Sequence, residues 1–234
     1  MSEQLKTDDE IIEDLLSEMP LNDKAEVTLP SGDIVKIKPI TFEEEKLLIN
    51  SASSKKDPLN ILIDKCVEGE NLGSLLFIDK IYLLFKLREI SFGNKYKFSI
   101  TCPTCKDVDS YEVEIDQLPI NSLEDSGPAK IKLPMCKKMM TVRRATASDE
   151  KYLGDTEVLM NNLWRFVVDI EDISKRTIIS KLLKRLPAGD VNTIIGTVMC
   201  KGYGLQTEVG IRCNACGASN FIELPLTKDF FTVS

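Results

Sequence analysis

Apolar and polar residues alternate along "KFSIT" (97–101) and again along "EVGIR" (208–212), and each run leads directly into a cysteine pair. Phe98 and Ile100 in the first run, and Val209 and Ile211 in the second, keep the period of two of a half-buried strand. Strand-like runs also leave each pair, "YEVEI" (111–115) and "NFIEL" (220–224). The pattern predicts two β-hairpins with C-x-x-C at their tips, Cys102 with Cys105 and Cys213 with Cys216.

Helical spacing dominates elsewhere. In "TDDEIIEDLLSEMP" (7–20), Ile11, Ile12, Leu15, Leu16 and Met19 share a face behind a Thr7/Glu10 capping box, and Pro20 ends the run. "NILIDKCV" (60–67) follows an Asp57 cap with Pro58 at the first helical position, and "TEVLMNNLWRF" (156–166) reads as its counterpart. "SKRTIISKLLKRLP" (174–187) predicts a basic amphipathic helix with Ile178, Ile179, Leu182, Leu183 and Leu186 inward.

The two hairpins belong to a longer correspondence. "SFGNKYKFSITCPTC" (91–105) aligns without gaps on "GYGLQTEVGIRCNAC" (202–216), matching Phe92 to Tyr203, Gly93 to Gly204 and all four cysteines. Upstream, "VTLPSGDIVKIKPITFEEEKLL" (27–48) resembles "IKLPMCKKMMTVRRATASDEKYL" (131–153): strand, Leu-Pro turn, strand, helix start. Thr41 with Glu44 and Thr146 with Asp149 supply capping boxes, and Asp79 and Asp190 read as N-caps of the helices that run to the paired glycines. The expected fold is α+β, a tandem pseudo-two-fold duplication with a unit of roughly 105–110 residues. Residues 1–24 would form an acidic helical arm, 25–120 the first repeat and 121–234 the second, with 25–234 one compact unit and the polar "NSLEDSGPA" (121–129) at the boundary.

Composition narrows the chemistry. Lys and Arg total 30 against 37 Asp and Glu, a net charge of −7, whereas nucleic-acid binders carry an excess of positive charge. "TVRRAT" (141–146) and "SKLLKRL" (180–186) read as solvated basic faces, and the acids of "EEE" (43–45) likewise as a solvated face. Histidine is absent, which removes the usual neutral-pH base and the commonest metal ligand. No P-loop, dinucleotide fingerprint, nucleophile elbow or H-E-x-x-H occurs, so no enzyme and no small-molecule substrate are expected. No apolar run reaches the ~20 residues of a membrane span, and the acidic N-terminus does not read as a secretory signal.

Seven cysteines, an odd number, point to thiols and metal ligands in a reducing compartment, not to a disulfide framework. Cys102, Cys105, Cys213 and Cys216 would close a tetrahedral shell around one structural Zn2+, leaving no position for an activated water. The pairs stand 107 residues apart, so the ion would join the two halves as a split zinc ribbon. A redox dithiol, an iron–sulfur cluster and metal-free knuckles are the competing readings; the two symmetric copies argue against the first, and no cluster signature supports the second. Cys66 and Cys200 sit on apolar helical faces as small hydrophobes, and Trp164 reads as a packing anchor.

"IKPITFEEEKLL", "DKIYLLFKLREISFGNKY", "CPTC" and the later "CNAC" resemble the baseplate proteins of T4-like contractile-tailed bacteriophages, specifically baseplate hub assembly proteins of about this length. The resemblance implies a chaperone-like tail-assembly factor whose partners are hub or tail proteins, working in the host cytoplasm. A permanent subunit of the virion baseplate and a zinc-ribbon regulator of nucleic acid are the alternatives. Ile11, Ile12, Leu15 and Leu16 then form either an arm that docks on a partner or a face packed on the chain's own body.

Overall fold

A computed structural model describes residues 6–17, 24–50, 57–69, 71–226 and 228–231. The fold is a mixture of helix and strand. Helix α1 (Asp8–Ser17) precedes an antiparallel sheet of β1 (Ala25–Thr28), β2 (Ile34–Ile37) and the two-residue β3 (Val67–Glu68). Between β2 and β3 lie α2 (Phe42–Asn50) and α3 (Pro58–Cys66). The long α4 (Phe77–Phe92) leads into the hairpin β4 (Lys95–Thr101) and β5 (Val108–Glu114).

A second antiparallel sheet follows the short β6 (Ile120–Asn121). It contains β7 (Ala129–Lys132), β8 (Met139–Val142) and β9 (Val167–Ile170), with α5 (Thr156–Asn162) between β8 and β9. Helices α6 (Arg176–Leu183) and α7 (Ala188–Val198) lead through β10 (Gly204–Leu205) to the hairpin β11 (Glu208–Arg212) and β12 (Ser219–Glu223).

Local signals explain most of the boundaries. Asp57 accepts the amide of Leu59 at 2.9 Å and Pro58 opens α3. The Thr7/Glu10 box closes at the head of α1, and Thr146 and Asp149 form a reciprocal box that begins a 3-10 turn (Ala147–Tyr152), not an α-helix. Glu44 departs from the solvated reading of its acidic run. It is buried, accepts the amide of Thr41 at 2.9 Å and pairs with Lys38 at 3.1 Å. Burial pushes its pKa up, but the hydrogen bonds from Thr41 and Lys38 prevail and hold it at about 2.

Other expectations are revised. Helix α6 spans Arg176–Leu183, shorter than 174–187, and Ile178 is exposed while Ile179 is buried. At about 100° per residue, one of two adjacent isoleucines must lie toward the rim. "TVRRAT" is not a solvated face: Arg143 grips Asp149 through two hydrogen bonds of 2.6 and 2.9 Å and lies over the Phe166 ring. Asp79 and Asp190 are not N-caps. Each is the third residue of its helix, and its buried carboxylate reaches back to the Leu-Pro turn of the preceding hairpin. Asp79 accepts the amide of Ser31 at 3.0 Å, and Asp190 accepts those of Met135 and Cys136 at 2.6 and 3.0 Å.

Two large apolar cores result among the described residues, with a small cluster of Leu76, Leu123 and Cys200 besides. One gathers Ile37, Leu62, Phe85, Leu87, Tyr96 and Phe98, and takes in Leu205, Leu224, Phe230 and Phe231 from far downstream. The other is built on Leu133, Val142, Phe166, Val167, Ile194 and Val198. Between them, the Phe77 amide donates to Ala145 at 2.9 Å and the Ala147 amide to Leu75 at 2.8 Å, while β6 pairs with β10. Gly204 in β10 has φ +77°, and a Cβ there would stand 3.0 Å from Ile78 of α4, so the close approach requires glycine.

An ion pair crosses the same seam. Lys80 on α4 is 1% exposed, and its ammonium donates to both carboxylate oxygens of Glu150 at 2.6 Å, with Asn60 donating to the same carboxylate at 2.8 Å. The Glu150 side chain is 31% exposed, so the two partners differ in what each loses when the other is removed. Glu150→Ala strands a buried ammonium and is expected to cost about 3 kcal/mol, whereas Lys80→Met leaves a carboxylate that water still reaches and costs less than about 1 kcal/mol. Urea unfolding of both variants measures the asymmetry; equal losses would contradict it.

The matched aspartates predict opposite responses. Burial raises the pKa of Asp79, whose Oδ2 has no hydrogen-bond partner among the described residues. Its contribution is present below the ordinary carboxylate range and is lost as pH rises through the raised value. For Asp190, burial pushes upward but the Met135 and Cys136 amides outweigh it, and the pKa is lowered. Its contribution is present above the ordinary range and is lost as pH falls. At pH 7, Asp79→Asn is therefore expected to raise the urea midpoint and Asp190→Asn to lower it, with both differences shrinking in acid.

Candidate metal centre

The two cysteine-tipped hairpins fold by one local rule. In the first, the Cys102 amide donates to Asp107 at 2.8 Å and the Lys106 amide returns to the Cys102 carbonyl at 2.9 Å, with Lys106 at φ +66°. In the second, Cys213 donates to Ala218 at 2.9 Å and Gly217 to Cys213 at 2.8 Å, with Gly217 at φ +72°. A left-handed residue after the second cysteine turns the chain back, so both thiols of a pair face the same side. The strand pairs behind the tips are in register, Phe98 opposite Tyr111 and Val209 opposite Ile222, and their inward residues rest on the first core.

The tips meet each other. The four sulfurs all lie within 4.8 Å of one another. Cys102 Sγ is 3.8 Å from Cys216 Sγ, and Cys105 Sγ is 3.7 Å from Cys213 Sγ, so the first cysteine of each hairpin neighbours the second of the other. Cys102 and Cys213 are buried, and Cys105 and Cys216 are exposed. Around the sulfurs, Asn214 donates to Asp109, Tyr111 donates to the Arg212 carbonyl at 3.4 Å, and the Asn220 amide points at Cys102 Sγ from 3.9 Å.

These distances test which chemistry the set can support. A tetrahedral ion with metal–sulfur bonds of about 2.3 Å separates its ligands by roughly 3.8 Å. A disulfide would need about 2.05 Å. The set therefore fits a single thiolate-bound ion. Electrostatics also favours a cation here if all four are to be thiolates. The amide of Cys105, aided by that of Thr104, pulls Cys102 down to about 6. For Cys105 the amide of Asp107 acts downward, but burial and the crowding of Cys216, Cys102 and Cys213 push it up to about 12. Four neighbouring thiols do not all ionise near neutrality without a cation among them.

The remaining cysteines stand apart. Cys66 and Cys200 are buried in apolar surroundings, and desolvation pushes each thiol up to about 11. Cys136 occupies a turn whose resemblance to the cysteine tips is not evident from sequence alone. Leu133 donates to Lys138 at 2.9 Å, Lys137 returns to Leu133 at 3.0 Å, and Lys137 has φ +62°. Leu133 and Cys136 thus take the two cysteine positions, and the Asp190 carboxylate accepts the amides that the sulfur accepts in the first hairpin. The shared signal was a Leu-Pro turn followed by a distant aspartate.

Helix α1 presents Ile11, Ile12, Leu15 and Leu16 to solvent, with no residue of the helix buried. Met19 and Pro20 of the same predicted helix lie outside the described residues. No helix among the described residues is long and apolar enough to cross a membrane.

A mixed helix-and-strand body with a four-thiol cluster between distant hairpins narrows the class without selecting a family. Comparison does so: the model of the family described as T4 bacteriophage base plate protein matches residues 22–232. The chain belongs to that family. Neither the curated proteins nor the solved structures returned a match.

Metal content tests the centre directly. Protein purified without chelators is expected to carry one ion per chain by elemental analysis, and Cys102→Ser or Cys213→Ser to lose it along with several kcal/mol of stability. Cys66→Ala should leave the metal content unchanged. Full stability of metal-free wild-type protein would contradict the assignment.

Proposed function

We propose that this chain is a non-enzymatic assembly factor of the baseplate hub, a stoichiometric chaperone that covers a surface of a hub or tail subunit until ordered assembly uses it. Membership of the base plate family over residues 22–232 carries the reading. Helix α1 precedes that matched region and displays an apolar face that the rest of the described chain does not bury. Such a face suits an arm that engages another protein by packing in a groove.

The ion is Zn2+, bound by Cys102, Cys105, Cys213 and Cys216. Zinc has no redox chemistry and accepts four thiolates in a closed tetrahedron, so it serves structure, not reaction. The body is a tandem duplication with the zinc at its pseudo-two-fold seam, a reading supported by the parallel order of hairpin, helices and cysteine tip in residues 25–117 and 129–223. Function resides in the host cytoplasm during assembly, with no requirement for nucleic acid.

A phage lacking this chain, complemented from a plasmid, distinguishes the role. Absence of the protein from purified virions, together with hub misassembly in its absence, is the expected result. A fixed copy number in virions would instead identify a permanent baseplate subunit.

A further inference from the structure

Helix α1 and the α5–α6 face are complementary surfaces on one chain. A ten-residue helix with no buried residue is marginal in water, so α1 gains from a surface to rest on. Its apolar stripe is flanked by five exposed acids, Asp8, Asp9, Glu10, Glu13 and Asp14, of which Asp14 pairs with Lys6. Across the second core, a groove of about 300 Å³ opens between α5, α6 and the start of α7, lined by Met160, Leu163, Trp164, Leu183 and Val191 with Lys184 at its edge. Met160 extends its apolar rim into solvent. Lys184 is exposed at its edge, Lys181 and Arg185 are exposed elsewhere on the α6 side, and Glu157 is exposed on α5; the three cations have no ion pair among the described residues.

We propose that α1 of one copy docks in the α5–α6 groove of a second copy, its leucines and isoleucines filling the apolar floor and its acids meeting Lys181, Lys184 and Arg185. Charge favours this occupant: the stripe is acidic-flanked, and the α6 side of the groove is basic. One helix about 15 Å long covers less than the ~1,200 Å² a specific interface needs, and reciprocal exchange doubles the contact. The exchange is isologous, so it closes as a two-fold dimer and does not propagate. The inference does not depend on the assembly role; here the partner of α1 is a second copy, which a hub subunit engaging the same face would have to displace.

Sedimentation of the full chain over a concentration series tests it. The wild type is expected to reach dimeric mass, with association weakening as salt rises. Lys181→Glu with Lys184→Glu and Arg185→Glu should weaken association roughly tenfold or more, as should Asp9→Lys with Glu13→Lys. Mixing the two charge-reversed proteins should restore a heterodimer, because each helix again faces a groove of opposite sign. All these positions are exposed, and circular dichroism verifies that the variants remain folded. A wild type that stays monomeric at every concentration overturns the proposal, including one whose α1 is protected from proteolysis by its own body. Dimers indifferent to the substitutions, or no recovery on mixing, overturn it equally.

Discussion

Four thiols gathered within 4.8 Å set the terms for the rest of the molecule. They resist ionising together, and a cation is what lets thiolates share so small a volume. The cluster sets two hairpins 107 residues apart in sequence tip to tip. The strands behind the tips must then lie side by side. Their inward residues share the apolar core under α4, and β6 is brought to β10. Little of this requires the hairpins to be stable alone, which suits two-stranded ribbons that are marginal in water.

Away from the sulfurs, the joint between the cores is polar and specific. Lys80 with Glu150, the backbone hydrogen bonds around Ala145 and Ala147, and the glycine approach at Ile78 each define one relative placement. Apolar contact alone would tolerate sliding. Directional bonds do not, and a buried ammonium that holds both oxygens of one carboxylate fixes where that carboxylate must lie.

The sequence revealed some layers of this and concealed others. Cysteine tips were legible because period-two strands lead into them and because identical residues recur at the same places. Capping boxes were legible because they need only four consecutive residues. The latches of Asp79 and Asp190 were not, since an aspartate at a helix start already has a sufficient local explanation as an N-cap. Lys80 was equally opaque: nothing in "DKIYLLF" distinguishes it from a surface lysine, and its partner lies 70 positions away. Glu44 and Arg143 looked like surface charge for the same reason, because pairing across a fold leaves no trace in local composition.

The core built around α4 includes Leu224, Phe230 and Phe231, and the Phe230 ring packs against Phe85 and Tyr96. During synthesis, the greater part of this core leaves the ribosome long before those side chains exist. Until residues 224–231 emerge, Phe85, Arg88 and Tyr96 face an open cleft where the missing rings belong. Completion of this core therefore waits on residues made well after the rest of it, and the nascent chain must remain soluble with that cleft unfilled.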